Sequence, residues 1–89
     1  MPVIRYSRAA LRLEKAAKCA SQTQNELLTA RHLAKAERLI LGYRFNANEV
    51  LTLIYLYDQV LAAATCLEGT IPIRQNCQEM QRMLRDSMA

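Results

Sequence analysis

His32, Asp58 and Cys66 are the residues of this chain that could form a nucleophilic site, with cysteine as nucleophile, histidine as base and aspartate to orient the base. His32 is the only histidine among the 89 residues, so a histidine pair for a metal ion is unavailable. Gly42 and Gly69 stand alone, which excludes a glycine-rich turn that would present a nucleophile or bind phosphate. We therefore expect no catalytic, metal-binding or cofactor-binding residues, and no enzyme.

The cysteines are spaced as in a reduced intracellular protein. Cys19, Cys66 and Cys77 are odd in number and far apart, which argues against a disulfide framework or a zinc site. Residues 1–8 are basic but are followed by more charged residues, so they lack the apolar core of an export signal. The apolar stretch 50–67 contains Asp58 and Gln59 and is read as a buried helix, not a membrane span. We expect a cytoplasmic protein.

Positive charge is concentrated in the first half of the chain. Residues 1–44 contain nine basic and three acidic side chains, whereas residues 45–89 contain three basic and five acidic ones. Arg5, Arg8, Arg12 and Lys15 recur at helical spacing and form a basic stripe on the first predicted helix. Such a stripe can dock on an acidic protein surface, follow a phosphate backbone or remain solvated.

The composition predicts an all-α fold. Two glycines and two prolines allow too few turns for a sandwich or a barrel, and helix-forming residues dominate. We expect one domain over residues 1–89, built as a small bundle of three long or four shorter helices, with a central apolar helix at about 47–67.

Capping signals predict where the first two helices begin. Ser7 is the expected cap of the first helix. Thr23 precedes Glu26 by three residues, which is the spacing of a capping box and would start a second helix. A continuous helix across residues 21–25 is the alternative, because this segment contains neither glycine nor proline.

Similar signals bound the later helices. Gly42 is expected to end the second helix in a left-handed conformation, and Asn46 with Glu49 forms a capping box for the third. Gly69 and Pro72 predict a break before the last helix. The Gly42 turn is not a DNA-binding helix-turn-helix, because the helix that follows is the most apolar in the chain and would be core.

The third and fourth helices present apolar candidates for interfaces. Tyr55 and Tyr57 are two residues apart on a helix and point in different directions, so one of them should reach an interface. Met80 adds an adaptable apolar side chain. Ile73, Cys77, Met80 and Leu84 form a seam with spacings of four, three and four, which can pack on the third helix or on a second copy. We expect a homodimer with this seam in its interface.

Asp58 lies within the apolar third helix. It either emerges at a gap in the packing or pairs with a cation, and Arg38 and Arg44 are the candidates. We expect the paired arrangement.

These features favour a small, non-enzymatic regulator, inhibitor or adaptor that binds a protein partner through a helical face. Arg5, Arg8, Arg12 and Lys15 would orient the contact, and Tyr55, Tyr57 and Met80 would anchor it. The alternative is a small basic nucleic-acid-binding regulator. We expect no membrane partner.

Overall fold

The computed structural model describes residues 2–65, 67 and 72–88, and this part of the chain contains four α-helices and no strand. The helices are α1 (Pro2–Lys18), α2 (Glu26–Ile40), α3 (Ala47–Ala64) and α4 (Ile73–Asp86). The predicted all-α bundle is therefore confirmed, in its four-helix form. Cys66 and the predicted break at Gly69 lie outside the described residues.

Each helix buries a stripe of residues whose spacings alternate between three and four. The stripes are Ala9, Leu13 and Ala16 in α1, with Ala20 just beyond its end, Thr29, Leu33, Ala36 and Ile40 in α2, Val50, Leu53, Tyr57 and Val60 in α3, and Ile73, Cys77, Met80 and Leu84 in α4. This spacing keeps one face of a helix turned toward its neighbours. α1 packs against α2 and α3, and α3 packs against α4, so the stripes meet in one core.

The first two helices do not begin where the capping signals predicted. α1 begins five residues before Ser7, which is exposed within the helix and does not cap it. α2 is capped by Asn25, whose side-chain oxygen accepts a hydrogen bond from the Leu28 N–H at 2.9 Å. The predicted capping box of Thr23 and Glu26 is therefore wrong, because Asn25 lies next to the helix and reaches the free N–H group first.

The chain reverses between α1 and α2 without glycine or proline. α1 continues into a five-residue π-helix, Cys19–Thr23, in which the Thr23 hydroxyl donates to the Cys19 carbonyl at 2.7 Å. Gln24 then adopts a left-handed conformation with φ of 52°, and Asn25 is extended. These two residues turn the chain back, so the alternative of a continuous helix is wrong.

The second turn and the start of α3 follow the prediction. Gly42 has φ of 74°, a conformation in which a side chain would be strained. The side-chain oxygen of Asn46 accepts from the Glu49 N–H at 2.8 Å, and the Glu49 carboxylate accepts from the Asn46 N–H at 3.0 Å. This reciprocal capping box ties the first turn of α3 to the residue before it.

The apolar seam of α4 is an internal packing surface. Ile73, Cys77, Met80 and Leu84 are at most 5% exposed in the single chain, and α4 packs on α3. The prediction that this seam forms a dimer interface is therefore wrong, because side chains enclosed by their own chain cannot contact a second copy. Burial raises the pKa of the Cys77 thiol to about 12, as expected of a core cysteine.

Asp58 of α3 accepts a hydrogen bond from the side-chain amide of Gln81 of α4. Gln81, which is 4% exposed, donates its side-chain N–H groups to Asp58 Oδ1 at 2.6 Å and to the Ile54 carbonyl at 3.0 Å. Asp58 itself is exposed. Its expected pairing with Arg38 or Arg44 is therefore wrong, and the alternative at the edge of the packing is correct.

α3 is covered on two sides, by α1 and by α4. Its outer face exposes Leu51 and Tyr55, and Asp58 and Gln59 also lie on it. No helix in the described residues has the length and apolar character needed to cross a membrane.

Tyr57→Phe is expected to leave the free energy of unfolding unchanged or to raise it. Tyr57 is fully enclosed, and among the described residues its hydroxyl has no hydrogen-bond partner. The same burial raises the pKa of this hydroxyl well above its ordinary value. An unpaired buried hydroxyl costs about 1–3 kcal/mol, and phenylalanine fills the space without it. Urea unfolding of both proteins measures the difference.

Tyr57→Ala is the control, and the cavity it leaves should cost about 3–5 kcal/mol. If the phenylalanine variant also lost more than about 1 kcal/mol, the hydroxyl would have to be a stabilising hydrogen-bonding group.

Candidate functional site

A groove between α1 and α2 carries cationic side chains on both of its sides. Its lining consists of Arg8, Leu11 and Arg12 from α1 and Lys35, Arg38 and Leu39 from α2. The groove has a volume of about 450 Å³ and is open to solvent. Leu11 is 48% exposed, although it lies among four positive charges. The groove therefore combines apolar surface with positive charge from two helices.

The groove continues toward the beginning of α1. A second depression, of about 250 Å³, is lined by Ile4, Arg5, Arg8, Leu39 and Tyr43. Arg8 and Leu39 line both spaces, so the two lie side by side along the α1–α2 boundary. We call the two spaces together the α1–α2 groove.

Arg5 is bonded to the end of α2. Its Nε donates to the Leu39 carbonyl at 2.7 Å, and its Nη2 donates to the Arg38 carbonyl at 3.2 Å. Its guanidinium carbon also lies 4.9 Å from the centre of the Tyr43 ring. The last carbonyls of a helix lack intrahelical partners and carry partial negative charge. Arg5 therefore holds α1 against α2, and its role in partner binding stays a prediction.

Arg12 is half-buried and contacts the histidine. Its Nη1 donates to His32 Nδ1 at 3.4 Å. Arginine has no acceptor atom, so this contact requires a neutral imidazole with its proton on Nε2. Burial lowers the pKa of His32, and the charges of Arg12, Lys15 and Lys35 lower it further. Arg12, which lines the groove, thus lies beside a neutral histidine.

The other two cations of the predicted stripe are exposed. Arg8 lies in the groove, at the point where its two parts join. Lys15 is exposed as well but does not contribute to the lining described for the groove. Of the four residues of the stripe, Arg5, Arg8 and Arg12 line the α1–α2 groove, whereas Lys15 lies outside its lining.

Sequence reasoning missed the contribution of α2 to this surface. Lys35 and Arg38 complete the cationic lining, and Leu11 and Leu39 supply its apolar part. The concentration of basic residues before residue 45 was the available signal. It could not show that the two helices place these charges around one groove.

The predicted apolar anchors separate into exposed and enclosed residues. Tyr55 is 59% exposed, whereas Tyr57 is fully enclosed and Met80 is 2% exposed. The expectation that Tyr55 and Tyr57 point apart is confirmed. The prediction that Tyr57 and Met80 contact a partner is wrong, because both lie in the core of the single chain.

The described side chains of the imagined nucleophilic site have other partners. His32 accepts from Arg12, and Asp58 accepts from Gln81. Among the described residues, no group of three or more His, Cys, Asp or Glu side chains is placed to hold a metal ion. The chemistry available in the α1–α2 groove is the binding of anionic groups beside an apolar surface.

Arg5→Gln is expected to lower the free energy of unfolding by about 1.5–3 kcal/mol, because it removes charge-assisted hydrogen bonds to the end of α2. Arg8→Gln is the matched control on the same helix and should change stability by less than about 0.5 kcal/mol. Thermal or urea unfolding measures both. Equal losses would show that the bonds of Arg5 to α2 do not stabilise the fold.

The pKa of His32, measured by NMR of its ring protons, should lie below 6.5, and Arg12→Gln should raise it. Because the unfolded chain takes up the proton at higher pH, the contribution of neutral His32 to stability is present above pH 6.5 and is lost as the pH falls below it. A wild-type pKa at or above 6.5 would contradict the buried contact.

No protein family, no curated protein and no solved structure matches this chain. The feature of the structure that bears on function is the α1–α2 groove, which combines cations of two helices with the exposed Leu11.

Proposed function

We propose that this protein is a small, non-enzymatic, cytoplasmic regulator, inhibitor or adaptor that binds an acidic protein surface in the α1–α2 groove. One observation carries the proposal: Leu11, which is 48% exposed, lies in a groove lined by cations of two helices. Apolar contact supplies affinity at short range, and complementary charge orients the partner as it approaches.

The apolar lining distinguishes a protein partner from a nucleic acid. A phosphate backbone needs positive charge and gives a leucine nothing to pack against. Leu11 and Leu39 lie beside Arg8 and Arg38 in the groove, so a ligand that neutralises the cations also covers apolar surface. A protein segment with acidic and apolar side chains satisfies both requirements.

A small nucleic-acid-binding regulator is the alternative function. The observation in its favour is that α1 and α2 together contain eight basic and three acidic residues. Charge of this density can bind phosphate without reading a sequence. The tests below separate the two functions.

Reversing two charges of the groove, with Arg8→Glu and Lys35→Glu together, should reduce partner binding by at least about tenfold, mainly through slower association. Both side chains are exposed, so the melting temperature should remain nearly constant. Binding is measured by capture of proteins from nuclease-treated extract of the source cell, followed by titration of the captured protein.

The matched control is Arg74→Glu with Arg82→Glu on α4. Both of these arginines are exposed and lie outside the groove, and either double variant changes the formal net charge from +4 to 0. The control variant should bind the partner as tightly as the wild type does. Equal loss from both variants would mean that net charge alone, and not the groove, determines binding.

Leu11→Ser tests the apolar part of the site. It should weaken binding of a protein partner by about tenfold, whereas Leu27→Ser, at an exposed leucine of α2 outside the groove lining, should not. Binding to duplex DNA at near-physiological salt tests the nucleic-acid function. This function is favoured if the wild type and Leu11→Ser are retained on the DNA and the double variant Arg8→Glu with Lys35→Glu is not.

A homodimer remains part of the proposal, with an interface other than the α4 seam. Leu51 and Tyr55 are 55% and 59% exposed on the outer face of α3. We propose that a second copy of the chain covers these apolar side chains. Light scattering at micromolar concentration should give about twice 10.1 kDa for the wild type. Leu51→Ser with Tyr55→Ser should give the single mass, and Leu27→Ser should not. A wild-type mass of 10.1 kDa would refute the dimer.

A further inference from the structure

We infer that the α1–α2 groove binds a short amphipathic helix of the partner, with apolar side chains facing the groove and acidic side chains on the flank that faces α2. This inference rests on the proposed function and specifies the conformation and chemistry of the segment that binds.

The apolar surface of the groove has the spacing of a helix. Ile4 and Leu11 are seven residues apart on α1, which places them on one side of the helix two turns from each other. They are 51% and 48% exposed, and Leu39 of α2 is part of the lining at both places. A helix laid along this line meets it with apolar residues at positions i, i+3 or i+4, and i+7.

The cations lie between this line and α2. At 100° per residue, Arg8 and Arg12 are turned from the line toward α2, where Arg12 contacts His32, and α2 adds Lys35 and Arg38 to the lining. A helix seated on the apolar line therefore has one flank turned toward these cations. Acidic residues on that flank complement them, whereas basic residues would be repelled.

The backbone of the ligand also favours a helix over an extended strand. The lining consists of side chains of two helices, whose own backbone groups are bonded within the helices away from their ends. An extended segment would bury N–H and C=O groups against Leu11 and Leu39 without partners, whereas a helix satisfies these groups internally.

The groove exists before the ligand binds. Arg5 bonds to the carbonyls of Arg38 and Leu39 and so fixes the beginning of α1 against the end of α2. Arg12 bonds to His32 further along the same two helices. A preformed groove reduces the entropy that is lost on binding.

The probes that test this inference are two synthetic peptides of about 14 residues, long enough for the roughly 12 Å between Ile4 and Arg12 along α1. Both contain the same leucine, glutamate and alanine residues. In the first peptide the leucines lie on one helical face, and in the second the order is permuted so that they are distributed around the helix. Fluorescence anisotropy measures the affinity, and amide NMR shifts locate the contact.

The amphipathic peptide should bind at least about tenfold more tightly than the permuted one. Its shifts should fall in residues 4–12 and 35–39, and its circular dichroism should become helical on binding. Arg8→Glu with Lys35→Glu, and Leu11→Ser alone, should each weaken it about tenfold, while Arg74→Glu with Arg82→Glu should not.

Other results overturn the inference in different ways. Equal affinity for both peptides would be compatible with the proposed binding of an acidic partner, but it would contradict the inference that the partner binds as an amphipathic helix. Absence of binding at millimolar peptide, together with retention on duplex DNA, would reject both the helix and the proposed function. Concentration-dependent shifts of the groove amides without peptide would assign the groove to a second copy of this chain.

Discussion

The packing of α1 on α2 determines where the cations of the groove lie. Ala9 and Ala16 of α1, Ala20 just beyond its end and Ala36 of α2 are fully enclosed. Alanine has no side chain beyond Cβ, so helices that meet through alanines can approach closely. The longer basic side chains on the outer flanks then stand around one groove.

The antiparallel arrangement of these helices explains why similar cations act differently. The beginning of α1 lies at the end of α2, where free carbonyls accept from Arg5. Further along, Arg12 meets the half-buried His32. Arg8 lies between these two positions and stays exposed. The role of each arginine is therefore decided by the acceptor that α2 places opposite it.

The distribution of charge over the helices supports a directed approach of the partner. α1 and α2 contain eight basic and three acidic residues, whereas α3 contains two acidic residues and no basic one. A molecule whose basic and acidic residues are concentrated on different helices is oriented by the electric field of a charged partner before contact. In the proposed complex, the exposed Leu11 would contribute only at short range, so charge would affect the association rate and apolar contact would affect the lifetime of the complex.

The sequence by itself determined some of the local features of this protein. The turn at Gly42 and the capping box of Asn46 and Glu49 depend on backbone sterics and hydrogen bonds within a few residues, so they could be predicted. The helical spacing of the core residues was also readable, because the period of a helix is constant. Only the tertiary structure decided that Arg5 binds the end of α2 and that Met80 faces its own chain. A helical stripe has the same spacing whether it packs on a neighbour in the same chain or on a partner, and the difference depends on contacts between residues that are distant in sequence.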